Sequence, residues 1–188
     1  FSSAGAASVV YANRLTQGVA SVGIGQNGFR RALLADSFDA GDGSLLYALE
    51  AQHNDGPFTQ PDRYRELNGV LRYSQGYANN GFNVTAMAYD ASWHATDQTP
   101  LPAVQDGTLG RFDAIDASDG GKAQRYSLSG AWRQTTDDIS SRVSAYVIAN
   151  RLALFSNFTY ALDDPDNGDQ FAQPDRRVTS GLDASHTW

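Results

Sequence analysis

Apolar and polar residues alternate along much of this chain, and this period of two restricts it to β-strands with two chemically different faces. In one stretch Leu67 and Leu71 take one face while Arg72 takes the other. The clearest stretches are 45–52, 66–74, 125–133 and 178–185. No segment has a convincing helical period, so the predicted fold class is all-β.

Three segments alternate less cleanly. The segment 82–95 carries Val84 on one face but Met87 and Trp93 on the other, and 143–158 is apolar on both faces for part of its length. The run 19–37 changes face near 25–28. A β-bulge or a rise of the strand out of a membrane would explain such switches, and the sequence leaves both open.

Short and long connections alternate along the chain. Polar turns fall at 40–44, 78–81 and 136–138, whereas loops rich in Asp, Gly and Pro fall at 54–63, 96–123 and 161–175. An up-and-down barrel places all even connections at one end, and outer-membrane barrels keep short turns inside the cell envelope and long loops outside. About eight strands are predicted, mostly longer than the roughly 9–11 residues a tilted membrane strand needs.

Two architectures compete for this pattern, a soluble β-sandwich with its apolar face inward and a membrane barrel with that face toward lipid. Strands of a typical sandwich are shorter, about 5–6 residues. Aromatic residues near strand ends suit the girdles of a membrane barrel: Tyr64, Tyr77, Phe82, Trp93, Trp132, Phe155, Phe158 and Tyr160. The preferred prediction is part of an antiparallel up-and-down transmembrane β-barrel.

Composition excludes several other classes. The net charge of -7 argues against a nucleic-acid partner, because phosphate contacts need basic clusters. The absence of cysteine excludes disulfides and thiol chemistry. No run approaches the roughly 18 apolar residues of a membrane helix, and residues 1–25 lack the features of a signal peptide. The alternating pattern still runs at Trp188, so the chain is expected to be a fragment.

Several segments together resemble TonB-dependent outer-membrane receptors over nearly the whole chain. Each motif is moderately specific, and their order and spacing strengthen the match. They are the segments 28–32 (Gly-Phe-Arg-Arg-Ala), 68–73 (Asn-Gly-Val-Leu-Arg-Tyr), 93–100, 110–121, 125–129, 155–165 and 168–171.

The resemblance implies a 22-stranded barrel closed by an N-terminal plug, in the outer membrane of a Gram-negative bacterium. Residues 1–188 are expected to be one part of that barrel domain, with no plug in this chain. The implied function is active uptake of a scarce nutrient such as an iron–siderophore complex. The implied partners are TonB with its inner-membrane energy-transducing complex, a small-molecule or metal-chelate ligand, and outer-membrane lipid.

Two other functions remain open, passive diffusion through a porin and a soluble β-sandwich binding module. An enzyme is not predicted, because no Gly-x-Ser-x-Gly nucleophile motif is present and the histidines are scattered. The Gly-x-Gly-x-x-Gly match at 23–28 lacks a βαβ context, so no nucleotide or other cofactor is predicted. About eight strands taken from a larger barrel are expected not to close alone, since their curvature and stagger are wrong.

Candidate ligand-binding residues are chosen by position, at the outer end of one strand and in the longest loop after it. They are Trp93, His94, Asp97, Arg111, Phe112, Asp113 and Asp116. Asp113, Asp116 and Asp119 would form an acidic mouth that attracts a cationic or metal-bearing ligand. The competing interpretation is an interface girdle followed by a solvated loop.

Metal binding has one weak candidate. Asp164, Asp166 and Asp169 resemble a calcium loop in composition, but their spacing departs from the EF-hand pattern and no glutamate closes it. A solvated acidic loop is the preferred interpretation, and no other metal site is predicted.

Overall fold

A computed structural model of the chain describes residues 10–77 and 80–188, with the backbone alone for Tyr77. The described residues form eight strands and one short helix. They are β1 (Val19–Ile24), β2 (Arg30–Ala40), β3 (Gly43–Asn54), β4 (Tyr64–Tyr77), β5 (Asn80–His94), α1 (Leu101–Gln105), β6 (Gly120–Thr136), β7 (Ile139–Ser156) and β8 (Phe171–Thr187). No helix among them has the length and apolar character needed to cross a membrane.

All eight strands belong to one antiparallel sheet in chain order, β1 to β8, and each strand pairs with its neighbours in the sequence. This confirms the prediction of an all-β, up-and-down arrangement of about eight strands. Within the described part of the chain β1 and β8 do not pair with each other, so the sheet is open.

The connections alternate in length as predicted. At one end of the sheet, here the short-turn end, β2–β3 and β6–β7 are joined by residues 41–42 and 137–138. Gly41 and Asp137 have φ angles of 59° and 31°, as tight hairpins require. The predicted turn at 78–81 lies partly outside the described residues, at positions 78 and 79. The long connections meet at the opposite, long-loop end.

The predicted face change in 19–37 is neither a bulge nor a rise out of a membrane. It is a turn at 25–29, in which Asn27 and Gly28 have positive φ angles of 55° and 69°. The N–H of Gly25 donates to the carbonyl of Phe29 at 3.0 Å and closes the turn. The run therefore consists of two strands, β1 and β2.

The predicted bulges in 82–95 and 143–158 are absent from the described strands. β5 pairs with β6 without interruption from Gly81 to His94, and β6 pairs with β7 without interruption from Gly120 to Thr136. Met87 and Trp93 therefore stay on the face of β5 that is otherwise polar. Two loops are shorter than predicted, because 120–123 belong to β6 and 171–175 to β8.

The two faces of the sheet have an unusual pattern of exposure. We call the apolar face the one that carries Leu71, the residues in register with it on the other strands, and every second residue from these along each strand. The polar face is the one that carries Arg72. Leu71 is 49% exposed, whereas Arg72 is 8% exposed and its neighbour Thr85 is 1% exposed. A soluble β-protein shows the reverse, with apolar side chains packed against a second layer.

The segment before β1 lies against the polar face. Asn13 Oδ1 accepts hydrogen bonds from Nη2 and Nε of Arg72 at 2.7 and 3.1 Å. The N–H of Leu15 donates to Ser37 Oγ at 2.9 Å. These contacts explain why polar side chains of β4 and β5 are buried while the apolar face is uncovered.

The strands are staggered regularly at the short-turn end. The β2–β3 turn closes at the pair Ala40–Gly43, and Gly43 is in register with Gln75 of β4. The β4–β5 hairpin closes at Tyr77–Asn80, two residues farther along β4. The β6–β7 hairpin closes at Thr136, again two residues beyond the position level with Asn80. Each hairpin thus ends two residues farther from the long-loop end than the previous hairpin does.

Candidate functional site

Three loops pack together at the long-loop end. We call them loop A (residues 55–63), loop B (95–119, which includes α1) and loop C (157–170). Loops A and B are joined at Thr59, whose N–H donates to the carbonyl of Phe112 at 3.0 Å. The Thr59 hydroxyl donates to Asp113 Oδ1 at 2.7 Å.

Loops B and C are joined by amide side chains that donate to carboxylates. Asn157 is only 3% exposed, and its Nδ2 donates to Asp116 Oδ2 at 3.0 Å. Its N–H donates to Asp97 Oδ2 at 3.3 Å. Gln170 Nε2 donates to Asp119 Oδ1 at 3.0 Å and to Ser118 Oγ at 2.7 Å.

These bonds gather Asp97, Asp116 and Asp119 into a carboxylate cluster. Asp119 is 2% exposed. Burial raises the pKa of the Asp119 carboxyl to about 6, and the nearby Asp97 and Asp116 carboxylates add to that effect against the hydrogen bond from Gln170. The Ser118 hydroxyl, by contrast, helps to lower the pKa of Asp116. Asp119 therefore gains a proton at a higher pH than Asp116 does.

The protonation of Asp119 is expected to make the loop assembly pH-dependent. A carboxyl whose pKa is raised in the folded state stabilises that state below about pH 4 and loses this contribution as pH rises through about 6. In wild type, the hydrogen-exchange protection of loops B and C should decrease between pH 4 and 6. In Asp119→Asn, this dependence of protection on pH (the slope) should be lost. Peptide-resolved exchange at pH 4, 5 and 6, corrected for intrinsic rates, measures it.

The matched control is Asp106→Asn in the same loop. Hydrogen bonds from the Thr108 hydroxyl and N–H lower the pKa of Asp106 on the exposed surface, so this variant should keep the slope between pH 4 and 6. An unchanged slope in Asp119→Asn would show that another group titrates.

Loop C is organised by one of the predicted calcium residues. The Asp169 carboxylate accepts the N–H groups of Leu162, Asp163 and Asp164 at 2.7–3.1 Å. Desolvation raises the pKa of Asp169, but the hydroxyl of Thr159 and these N–H groups outweigh it and lower the pKa to about 2.

Asp164 is likewise occupied by donors from within the loop. Its Oδ1 accepts the N–H groups of Asp166 and Asn167 at 3.2 and 3.1 Å. Among the residues that the structure describes, no group of three acidic or histidine side chains is arranged to hold a metal ion. The calcium interpretation of Asp164, Asp166 and Asp169 stays a weak prediction.

Replacing Asp169 by alanine is expected to loosen loop C. The change leaves three N–H groups without their carboxylate acceptor, and charge-assisted bonds of this kind are about twice as strong as neutral ones. Limited proteolysis should cleave loop C several-fold faster in the variant.

The control is Asp166→Ala, since the described contacts give the Asp166 side chain no part in the loop. It should be cleaved at the wild-type rate. A calcium-dependent slowing of wild-type cleavage, abolished in either variant, would instead support the calcium interpretation.

An aromatic pair, half-buried Phe58 and exposed Phe112, lies between loops A and B. The rings of Phe58 and Phe112 meet edge to face with centroids 6.4 Å apart. The Arg111 guanidinium lies 5.9 Å from the Phe112 ring. Phe112 is 47% exposed, so Arg111 and Phe112 offer a cationic and aromatic contact surface at the long-loop end.

The seven predicted ligand residues divide into three places. Asp97 and Asp116 belong to the carboxylate cluster, and Arg111, Phe112 and Asp113 belong to the aromatic junction with loop A. Trp93 and His94 end β5. His94 Nδ1 lies 3.5 Å from Gln60 Nε2, and the His94 N–H donates to the carbonyl of Asp62 at 2.7 Å. A hollow of about 340 Å³ is lined by Trp93 and His94 together with Asp119 of the carboxylate cluster, whereas Arg111, Phe112 and Asp113 lie outside it.

The apolar face forms a continuous band. On strands β2 to β8 four successive outward positions are mostly apolar, and they span about 20 Å along the strand, slightly less than the roughly 25 Å of a membrane barrel. Asp36 interrupts the band and lies beside Gly18. The runs are 32–38 on β2, 45–51 on β3, 67–73 on β4, 82–88 on β5, 126–132 on β6, 143–149 on β7 and 178–184 on β8.

Aromatic side chains mark the edge of this band toward the short-turn end. Phe38, Tyr73, Phe82 and Trp132 occupy the last band position on their strands. The rings of Tyr73 and Phe82 pack with centroids 5.8 Å apart. Such a row is typical of the interfacial girdle of membrane barrels.

The predicted girdle residues only partly coincide with that row. Phe82, Trp132 and Phe155 lie on the apolar face, whereas Tyr64 and Trp93 lie on the polar face, so those two cannot contribute to an outer girdle. Phe158 and Tyr160 lie in loop C. The side chain of Tyr77 is outside the described residues.

Comparisons of the chain with models of protein families, with curated proteins and with solved structures find no match.

Proposed function

We propose that this chain is part of the β-barrel of an outer-membrane receptor for TonB-dependent uptake of a scarce nutrient, such as an iron–siderophore complex. The membrane barrel is argued from the geometry of the sheet. The TonB-dependent step and the class of nutrient are argued from the sequence resemblance alone.

The observation that carries the proposal is the inverted exposure of the two faces. Leu71 and Leu128 are about half exposed on the apolar face, whereas Arg72 is buried on the polar face. An uncovered apolar surface of this extent is unfavourable in water and marks a membrane or protein contact. Lipid suits it, because the band has a nearly constant depth of four positions on seven neighbouring strands.

The open edges of the sheet mean that, if the apolar face is inserted in lipid, the sheet is part of a larger barrel. Within the described strands, β1 and β8 each pair on one side only, so each leaves a row of backbone groups without a strand partner. Unpaired backbone groups are not tolerated in hydrocarbon, and only closure satisfies them. Further strands of the same barrel would pair with both edges.

The polar face supports a filled or hydrated interior. The segment 10–18 already packs on it through Asn13 and Leu15. The long loops lie at one end of the strands, beyond the band, and present the exposed Arg111 and Phe112 there, where an incoming ligand would arrive. Transport across the barrel requires this inside–outside arrangement.

The test has two readouts on the full-length protein. Membrane insertion predicts that the protein sediments with outer membranes and that its folded form in detergent migrates differently from the heated form. TonB-dependent uptake predicts energy-dependent accumulation of a siderophore that is lost in cells without TonB.

The two readouts separate the competing functions. Insertion with solute flux that is independent of TonB would favour a passive porin. A protein that folds in water without detergent would favour a soluble β-sandwich and contradict the proposal.

A further inference from the structure

A continuous groove runs along the apolar face, from the long-loop end into the band. Its upper part is a hollow of about 720 Å³ that contains Arg30, Arg65 and Lys122 above Ala32 and Leu67. Its lower part is a hollow of about 830 Å³, lined mainly by apolar residues such as Leu34, Leu49, Gly69 and Ala88. The two hollows share Ala32 and Leu67 in their walls, so they open into each other.

The three cations of the upper hollow lie in one transverse row of the sheet. Arg30 is in register with His53, and His53 with Arg65. Arg65 is in register with Ser92, and Ser92 with Lys122. Neighbouring strands lie about 4.8 Å apart, so the backbones of successive cations are about 10 Å apart. Long, exposed side chains at that spacing can converge on one anionic group.

These cations have no partner among residues 10–77 and 80–188. The ion pairs found there involve Arg14, Arg31, His53 and Arg177 instead. Two acids border the row: Asp55, whose carboxylate lies 3.2 Å from His53 Nε2, and Asp90, which lines both hollows and accepts a hydrogen bond from Gln124 at 2.6 Å. The three cations outnumber these two acids, so the row keeps an excess of positive charge.

The positive border continues on the last two strands. Arg151 and Arg176 are directly in register, both exposed, and each lies immediately above the apolar band. Like charges placed opposite each other on neighbouring strands are destabilising. An anion that lies between them would remove this repulsion. Arg151 and Arg176, like the row of Arg30, Arg65 and Lys122, therefore favour an anionic neighbour.

We propose that the groove binds an anionic, phosphate-bearing lipid from the membrane leaflet on the long-loop side. The phosphate lies among Arg30, Arg65 and Lys122, and the acyl chain lies over Leu34 and Ala88. Cations at a membrane surface attract anionic headgroups, and arginine pairs with phosphate through two parallel hydrogen bonds. The apolar lower hollow fits an acyl chain and would contribute nothing to the binding of inorganic phosphate. This inference rests on the proposed insertion of the apolar face in lipid.

The test compares two triple variants of the full-length protein. Arg30→Gln/Arg65→Gln/Lys122→Gln removes the upper cations. Arg125→Gln/Arg142→Gln/Arg177→Gln removes as many charges from the polar face. Native mass spectrometry and titration measure the binding of phosphatidic acid in mixed micelles. Diacylglycerol and inorganic phosphate serve as the probes that lack one half of the lipid.

The expected result is on the order of 100-fold weaker binding of phosphatidic acid in the first variant, from three cations at a membrane surface. The polar-face variant should bind like the wild type, and neither diacylglycerol nor inorganic phosphate should compete effectively. Equal binding by both variants would overturn the proposal, as would competition by inorganic phosphate alone.

Insertion is scored separately, by flotation of each protein with phosphatidylcholine vesicles. A wild-type protein that floats but shows no preference for phosphatidic acid would overturn the lipid site and leave the membrane barrel intact. A wild-type protein that does not float would overturn both.

Discussion

Replacing Leu128 by arginine is expected to lower the free energy of unfolding in a phospholipid bilayer by about 2–4 kcal/mol. Leu128 lies on the apolar face of β6, in register with Ala86 and Val147 and near the middle of the band. Its side chain is 51% exposed, so no protein contact would compensate for the charge. Denaturant titration of the full-length protein folded into vesicles measures the loss.

The matched control is Ser129→Arg, one residue along the same strand on the polar face. It should change the free energy of unfolding by less than about 1 kcal/mol, because a hydrated interior tolerates the charge. Equal losses at the two positions would contradict the assignment of the faces. A protein stable in water, with the same loss there for Leu128→Arg, would place Leu128 in a protein core.

Replacing Arg72 by methionine is expected to lower the free energy of unfolding by about 2–4 kcal/mol, although methionine keeps much of the volume. The Arg72 guanidinium donates to Thr85 Oγ1 at 2.6 Å, to Asn83 Oδ1 at 3.1 Å and to Asn13 Oδ1 at 2.7 Å. Loss of these bonds would leave the buried Thr85 hydroxyl and the half-buried Asn83 carbonyl without this donor. It would also release the segment before β1 from the polar face.

Arg125→Met is the control, because Arg125 is exposed on the same face and its loss should change stability by no more than about 0.5 kcal/mol. Arg72→Lys keeps the charge but not the planar fork, so an intermediate loss is expected. Proteolysis of the segment 10–18 should accelerate in Arg72→Met alone. Equal stability of the Arg72→Met and Arg125→Met variants would contradict a stabilising role for the hydrogen bonds of Arg72.

The strands were predictable wherever one face is apolar and the other polar, as around Leu71 and Leu128. The turn at 25–29 was missed, although Asn27-Gly28 is the commonest signal for a tight hairpin. Apolar residues on both sides of that turn made 19–37 resemble one strand. The start of β8 was missed because Pro174 lacks the N–H that a strand normally contributes.

Position along the chain identified part of the loop site, including Asp97 and Asp116. It could not identify Asn157 or Gln170, because single amide residues form no charge or spacing pattern. Their partners are 41 to 60 residues away in the sequence. Such contacts depend on the order of strands in the sheet, which brings loops B and C side by side.

The regular stagger of the short turns determines how the sheet would tilt if it closed. A shift of two residues per hairpin is one residue per strand, or about 3.3 Å along the strand for each 4.8 Å across it. The corresponding inclination of the strands to a barrel axis is about 35°, at the lower limit of the usual 35–45°. A plane perpendicular to that axis therefore crosses each strand at a similar distance from its short turn, and from one strand to the next it moves about one residue away from the residue in register. The apolar band follows this course at one pair of strands only: it moves two residues toward the short turns between β4 and β5 and keeps its register from β2 to β4 and from β5 to β8.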